Sequence, residues 1–253
     1  MKFFKNIVII IVISIVFISS KTFEKTNDDF VEYTVNPKKQ QIKMFWKDEK
    51  LNNFVSISKL KSWLVSNNKV LVFATNGGMY HEGYEPVGLY IENKITKTKI
   101  DTTSNQGNFY LKPNGIFYIT NDNKAVVIQT EKFINKNIKY ATQSGPMLVI
   151  DGQVHPSFKE GSANVNIRNG VGILPNGNAL FSMSKNKINL YDFAKYFKDL
   201  GCKNALFFDA FVSRTYLPEK NWTQTDGDFG VMIAVTKDYK SLPIILSPKF
   251  KKN

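Results

Sequence analysis

The chain of 253 residues has one cysteine, two histidines and two arginines. A single cysteine, Cys202, excludes an intramolecular disulfide, so the fold has to stand on its apolar core. It lies in LGCKNALFF, an apolar helix-to-strand junction, and reads as a small buried residue rather than a nucleophile. His81 and His155 are far apart and lack HxxH-type spacing, which leaves histidine-led metal chemistry without support. No GxxxxGK[ST] or GxGxxG occurs, so a nucleotide cofactor is not expected, and no GxSxG elbow marks a Ser-His-Asp hydrolase. Charge is not scarce but is one-sided, at +13. Its lysines are scattered, without an arginine-rich run or a nucleic-acid motif. A solvated basic surface, or anionic glycans, phosphate-linked polymers and membrane surfaces, are therefore expected before nucleic acid.

The first twenty residues, MKFFKNIVIIIVISIVFISS, have two lysines, an apolar run from Ile7 to Ile18 and a small polar end. This is the three-part pattern of an export signal, and the run is short for a hydrocarbon layer of roughly 30 Å. Residues 1–20 are accordingly expected to be a signal peptide or N-terminal anchor, with possible membrane association through that segment, and 21–30 a tether. Export without disulfides points to a bacterial periplasm or extracellular space. Without the two lysines of that segment, 32 basic residues face 21 acidic ones, a balance of +11. With 43% hydrophobic and 13% aromatic residues, 31–250 is expected to fold as one domain.

Short strands separated by Asn, Gly and Asp turns dominate that region, with two or three helices, so the expected class is α+β, built of mixed, largely antiparallel sheets. Val31 to Lys47 reads as two strands joined at Asn36 to Lys39. Apolar spacing predicts a helix from Leu51 to Val65 and another from Leu190 to Leu200, the second closed by Gly201. Hairpin turns are predicted at Pro113 to Gly115 and Asn121 to Lys124. Strands are expected at Val70 to Ala74, Val87 to Glu92, Met147 to Ile150, Ala179 to Met183 and Ala205 to Phe208. Further strands are expected in DGDFGVMIAVT and in LPIILS near the end of the chain.

The stretch KNALFFDAFVSRTYLP, Lys203 to Pro218, delivers one carboxylate, Asp209, to the end of an apolar strand, followed by a turn with Ser213 and Arg214. A strand fixes such an acid while the loop leaves it reachable; the plain alternative is an acid capping a turn. In TNGGMY, Gly77 and Gly78 directly follow a core strand, and Asn76 either closes a tight turn or offers its amide to a ligand. YATQSGPMLVIDG places Gln143, Ser144 and Gly145 in a polar loop before a strand. Arg168, in NVNIRNGVGIL, and Arg214 stand out among so many lysines. An arginine fork holds phosphate or carboxylate in a way lysine does not, and a structural ion pair is the alternative for each.

Carboxylate chemistry is what remains, with Asp209 foremost and Glu82, Glu85, Asp226 and Asp228 in polar, glycine-containing loops. A glycosidase ordinarily needs two acids around the sugar bond. A phosphate leaving group lowers the need for a strong general acid and favours arginines that neutralise it. A metal-dependent phosphodiesterase built on Asp209, Asp226 and Asp228, and a non-catalytic module binding phosphate-containing polysaccharide, stay open on inventory alone. No cofactor is called for, with a divalent cation left open.

The four stretches TNGGMY, ATQSGPMLVIDG, RNGVGIL and FFDAFVSRTYLP, in this order and spacing, resemble the phosphodiester glycosidase family from about Val70 to Val235. The resemblance implies a hydrolase of the bond between a sugar and a phosphodiester, N-acetylglucosamine being the family's sugar, with bacterial relatives associated with exopolysaccharide and envelope glycans. The family's motifs map onto Asn76, Gly77, Gly78, Ser144, Gly145, Arg168, Asp209 and Ser213; Asp209, Arg168 and Asn76 are accordingly expected to be catalytic, and Gly77, Gly78, Ser144, Gly145 and Ser213, joined by Gln143 and Arg214 from the reading of the loops, to bind substrate. Where the family has a glycine-rich, serine-ended turn after the aspartate, this chain has Ala210, Phe211 and Val212, and so resembles a bacterial subgroup with its own pocket shape.

Overall fold

The computed structural model describes residues 28–239, so the expected signal or anchor, most of the tether and the LPIILS strand lie outside the described residues. Within that range sixteen strands and two α-helices form. Sheet therefore outweighs helix more than the α+β expectation implied, and every strand pairing is antiparallel.

In chain order, β1 (Phe30–Val35), β2 (Ile42–Phe45), α1 (Ile57–Ser66), β3 (Lys69–Asn76), β4 (Tyr90–Glu92) and β5 (Ile95–Thr98) come first. β6 (Gly115–Thr120), β7 (Ala125–Gln129), β8 (Ile138–Ser144), β9 (Met147–Ile150), β10 (Gln153–Val154) and β11 (Asn169–Ile173) form the middle. The remainder is β12 (Ala179–Ser184), α2 (Leu190–Asp199), β13 (Ala205–Asp209), β14 (Thr215–Leu217), β15 (Trp222–Thr223) and β16 (Met232–Asp238). They assemble into three sheets, ordered β1-β12-β11-β13-β9-β10, β15-β14-β3-β16-β2 and β5-β4-β8-β6-β7.

The three sheets enclose one core, in which Tyr33, Phe73, Phe117, Phe181, Leu206 and Phe208 meet. α2 covers the outer face of the first sheet through Phe193 and Phe197, and α1 covers the second through Ile57, Leu60 and Leu64. β13 lies between these layers: Ala205 and Phe207 face α2, whereas Leu206 and Phe208 face the central core. A strand buried on both faces reads as an unbroken apolar run, and this is why ALFF stands out in the sequence. Cys202 is buried in the α2 layer, and burial pushes its thiol up to about 12, consistent with an inert packing residue.

Several boundaries differ from expectation. Phe30, assigned to the tether, is buried and begins β1 opposite Ser184. β1 and β2 do not form a hairpin: β1 pairs with β12 and β2 with β16, so the 36–41 turn passes the chain from one sheet to another. α1 begins six residues later than predicted, because Ser56 accepts a hydrogen bond from Lys59 N and caps the helix there. Leu51 and Val55 have positive φ and cannot be helical; Leu51 is exposed. The Pro113–Gly115 signal marks no hairpin, since Asn114 instead donates its side-chain amide to Phe109 O. The Asn121–Lys124 hairpin between β6 and β7 is present, and Gly201 closes α2 with φ +80°.

Candidate active site

β3, β8, β11 and β13 bring their ends together where the three sheets meet, and the motif residues gather there. At the centre is an asparagine that the sequence reading did not single out. Asn169 opens β11 opposite Asp209 and is buried. Its Nδ2 donates at 2.9 Å to Thr75 Oγ1, Asn76 O and Asn76 Oδ1, and its Oδ1 accepts from Asn76 Nδ2 at 3.3 Å and from Ser213 Oγ at 3.2 Å. Asn76 Oδ1 in turn accepts from Arg214 N at 3.0 Å. Ser213 Oγ also lies 3.0 Å from Asp209 O. Buried amides of this kind are stable only when each donor and acceptor is matched, and here one pair of asparagines ties β3, β11 and the turn after β13 into a single unit.

Gly77 and Gly78 lie directly beside this unit. A Cβ on Gly77 would stand 2.6 Å from Ile233 Cγ1, and one on Gly78 would stand 2.9 Å from Thr142 Oγ1. Gly78 also has φ +144°, a region side chains avoid. Close approach is what these glycines allow: Thr142 Oγ1 donates to Gly77 O at 2.7 Å, which joins the third sheet to the second. Ser144 Oγ reaches Phe208 O at 3.2 Å, the carbonyl just before Asp209. Gly145 is pressed against the 109–114 loop, where a Cβ would meet Asn114 Cβ at 2.6 Å. Gln143 is buried, and its amide is fully engaged with Leu89 N, Asp101 N, Asp101 O and Thr130 Oγ1, so its side chain fastens loops to β8.

Asp209 ends β13 and is 7% exposed. Oδ1 accepts from Phe211 N at 2.6 Å and from Val212 N at 3.3 Å, so the acid does cap its own turn. Burial pushes its carboxyl above the usual carboxylate range, with the backbone N–H groups of Phe211, Val212 and Ala210 opposing that shift. Among the described residues no lysine or arginine is within ion-pair distance of it. Tyr80, also not singled out from the sequence, lies within the field of Asp209. Burial, aided by the nearby carboxylates of Asp228 and Asp209, pushes its hydroxyl up to about 12. Tyr80 OH donates to Asp228 O, Tyr84 OH donates to Asp228 Oδ1 at 2.7 Å, and the two rings stack at 5.8 Å.

The two arginines are placed differently from each other. Arg168 is 1% exposed, and its guanidinium extends toward α2, over the Phe207 ring. Nε donates to Ile188 O at 2.7 Å and Nη2 to Asn164 O at 2.8 Å. Burial without a carboxylate partner pulls its pKa down to about 10. Arg214 is partly exposed, donates from Nη1 to Ser213 O and pairs with the more exposed Asp226 at 2.9 Å. The structure thus brings Asn76, Asp209, Ser213, the backbone of Arg214, Gly77, Gly78 and Ser144 together, while the Arg168 fork is directed to the helix side of the first sheet. Among the described residues, no group of three or more His, Cys, Asp or Glu side chains is close enough to hold a metal ion.

A cleft of about 1110 Å³ lies elsewhere, between β1, α2 and residues 219–220, and includes neither Asp209 nor Asn76. Asp28, Asp29, Glu32, Asp192, Asp199 and Glu219 line it, against Lys195 and Lys220. Such a wall repels anionic ligands.

An antiparallel three-sheet fold with a buried strand-end aspartate beside an asparagine pair defines the class structurally. The chain belongs to the phosphodiester glycosidase family, whose model matches residues 69–235. It is 39% identical over 187 residues to the uncharacterized protein YigE of Escherichia coli (strain K12), covering 73% of each chain. Its fold is similar to that of the zebrafish N-acetylglucosamine-1-phosphodiester alpha-N-acetylglucosaminidase catalytic domain, auto-inhibited by its pro-peptide. That match has TM-score 0.54 and 12% identity, covering 83% of this chain and 84% of that one. A hypothetical protein from Synechocystis shares the fold at TM-score 0.53 and 11% identity, over 82% of this chain and 59% of that one.

Proposed function

We propose that the protein is an exported hydrolase that cleaves the bond between a sugar and a phosphodiester in an envelope or extracellular glycan. The observation that carries this reading is a single buried carboxylate, Asp209, held above the usual range by burial at the place where the family's motif loops converge. In the proposed reaction water adds to the anomeric carbon, and the bond from that carbon to the bridging oxygen breaks. The phosphate monoester then departs with the bonding electron pair. Asp209 manages the proton, giving it to the bridging oxygen or taking it from the attacking water. A phosphate monoester is a good leaving group, which is why one acid is enough where most glycosidases use two.

Arg214 is the arginine we place at the phosphate, because it is the partly exposed one and its exposed partner Asp226 holds it only weakly. Arg168 then acts in support, fixing the 164–168 segment that leads into Asn169. Asn76 and Ser213 position the turn carrying Asp209 and Arg214, and the backbones at Gly77, Gly78, Ser144 and Gly145 form the sugar-side wall.

The test is hydrolysis of a panel of sugar-1-phosphate methyl diesters by wild type and by Asp209→Asn. The expected result is turnover by wild type and a loss of about 100-fold or more in the variant, the usual contribution of a positioned acid or base. Full activity in Asp209→Asn, or no turnover across the panel, would overturn the proposal.

A further inference from the structure

Phe211 is 86% exposed, more than any other large hydrophobic side chain in the described residues, and it follows the buried acid by two positions. Isolated surface hydrophobics are ordinary. This one is held in place from three directions. Asp209 Oδ1 accepts its N–H at 2.6 Å, Ala210 is buried in the α2-side core, and Val212 packs against the α1-side core together with Tyr80. The turn is therefore anchored at both ends, and it presents an aromatic ring to water two positions after the carboxylate. Burying such a ring would be worth about 1.5–3 kcal/mol, so leaving it exposed at an anchored position needs a reason.

We propose that Phe211 is a stacking platform for the pyranose ring whose anomeric carbon faces Asp209, and is the residue through which this chain selects its sugar. A pyranose presents an apolar face of C–H groups that fits the electron-rich face of an aromatic ring, while its hydroxyls remain free for polar partners. Tyr80, which packs with Val212 and lies within the field of Asp209, stacks on Tyr84. The inference rests on the hydrolase reading above and deepens it.

The experiment measures binding of glucose 1-phosphate, N-acetylglucosamine 1-phosphate and inorganic phosphate by calorimetry, and diester hydrolysis in parallel. It compares wild type with Phe211→Ala, Phe211→Leu and Phe211→Trp. The alanine and leucine variants are expected to weaken binding of the preferred sugar 1-phosphate about five-fold, the scale of one aromatic stacking contact. Inorganic phosphate affinity and melting temperature should not change, and tryptophan should restore sugar binding.

If leucine binds the sugar as tightly as phenylalanine, or if phosphate binding falls in parallel, the platform is refuted. The same holds if the only loss in Phe211→Ala is association with anionic lipid vesicles, which would make the ring a membrane contact. Wild type that neither binds a sugar 1-phosphate nor cleaves a diester defeats the hydrolase reading and the platform together. Wild type that does both while Phe211→Ala matches it defeats the platform alone.

Discussion

Replacing Asn169 by alanine tests the idea that one buried amide holds the site together. In Asn169→Ala, Thr75 Oγ1 keeps its bond to Arg214 O, Ser213 Oγ keeps Asp209 O, and Asn76 Oδ1 keeps Arg214 N. Asn76 Nδ2 loses Asn169 Oδ1, its acceptor, and is stranded in a fully buried position. A stranded buried donor costs about 1–3 kcal/mol, and losing the Asn169 Nδ2 donations to Thr75 Oγ1 and Asn76 O, at about 1 kcal/mol each, brings the total to roughly 3–5 kcal/mol. For a domain of this size each kcal/mol moves the midpoint by about 2–4 °C, so the melting temperature should fall by roughly 10 °C. Thermal unfolding followed by circular dichroism is the assay, with Asn135→Ala, an exposed position, as the control. An Asn169→Ala midpoint within about 2 °C of wild type would refute the reasoning, since that shift corresponds to no more than one lost bond.

Other consequences follow from the same geometry. Because burial raises the Asp209 carboxyl, this group favours the folded state most below the ordinary aspartate range and loses that contribution as pH rises through its folded-state value. Asp209→Asn should therefore melt above wild type at pH 7, with the gap closing as pH falls toward 4, and a gap that widens in acid would contradict the assignment. Gly78→Ala adds a Cβ 2.9 Å from Thr142 Oγ1 at φ +144°, and a loss of roughly 1–3 kcal/mol should appear in urea unfolding. Wild-type stability in that variant would show that the 77–78 segment can shift freely. Arg214→Ala should raise KM for the diester by about ten-fold and affect kcat less, as expected for a charge that mainly binds phosphate; an unchanged KM would remove Arg214 from that role.

What the sequence made legible follows from how local each signal is. β13 could be read from ALFF alone because both faces of that strand are buried, and the β6–β7 hairpin because its turn residues are contiguous. Strand pairing was not local. Nothing in VEYTVNPKKQQIKMF says that the two strands join different sheets, since their partners, β12 and β16, lie far along the chain. α1 is shorter than its apolar spacing suggests because Leu51 and Val55 have apolar side chains at helical spacing, while their positive φ values are a property of the backbone. The site divides in the same way. Asp209, Asn76 and Ser213 lie within recognisable motifs, and so does Asn169, in RNGVGIL, but Asn169 binds Thr75 and Asn76 across more than ninety residues, so nothing in the stretch itself shows its role. Arg168 was conspicuous as one of two arginines, yet its guanidinium is engaged with carbonyls behind the sheet. Scarcity drew attention to the right segment and to the neighbouring side chain.

The most direct test of the account is which bond breaks. Diester hydrolysis run in heavy-oxygen-labelled water, with mass spectrometry of the sugar and phosphorus NMR of the phosphate product, separates the two possibilities. If water attacks the anomeric carbon, the label is expected in the released sugar and the phosphate monoester is unlabelled. Label in the phosphate would mean cleavage between phosphorus and oxygen, and would contradict the assignment of Asp209 to chemistry at the sugar.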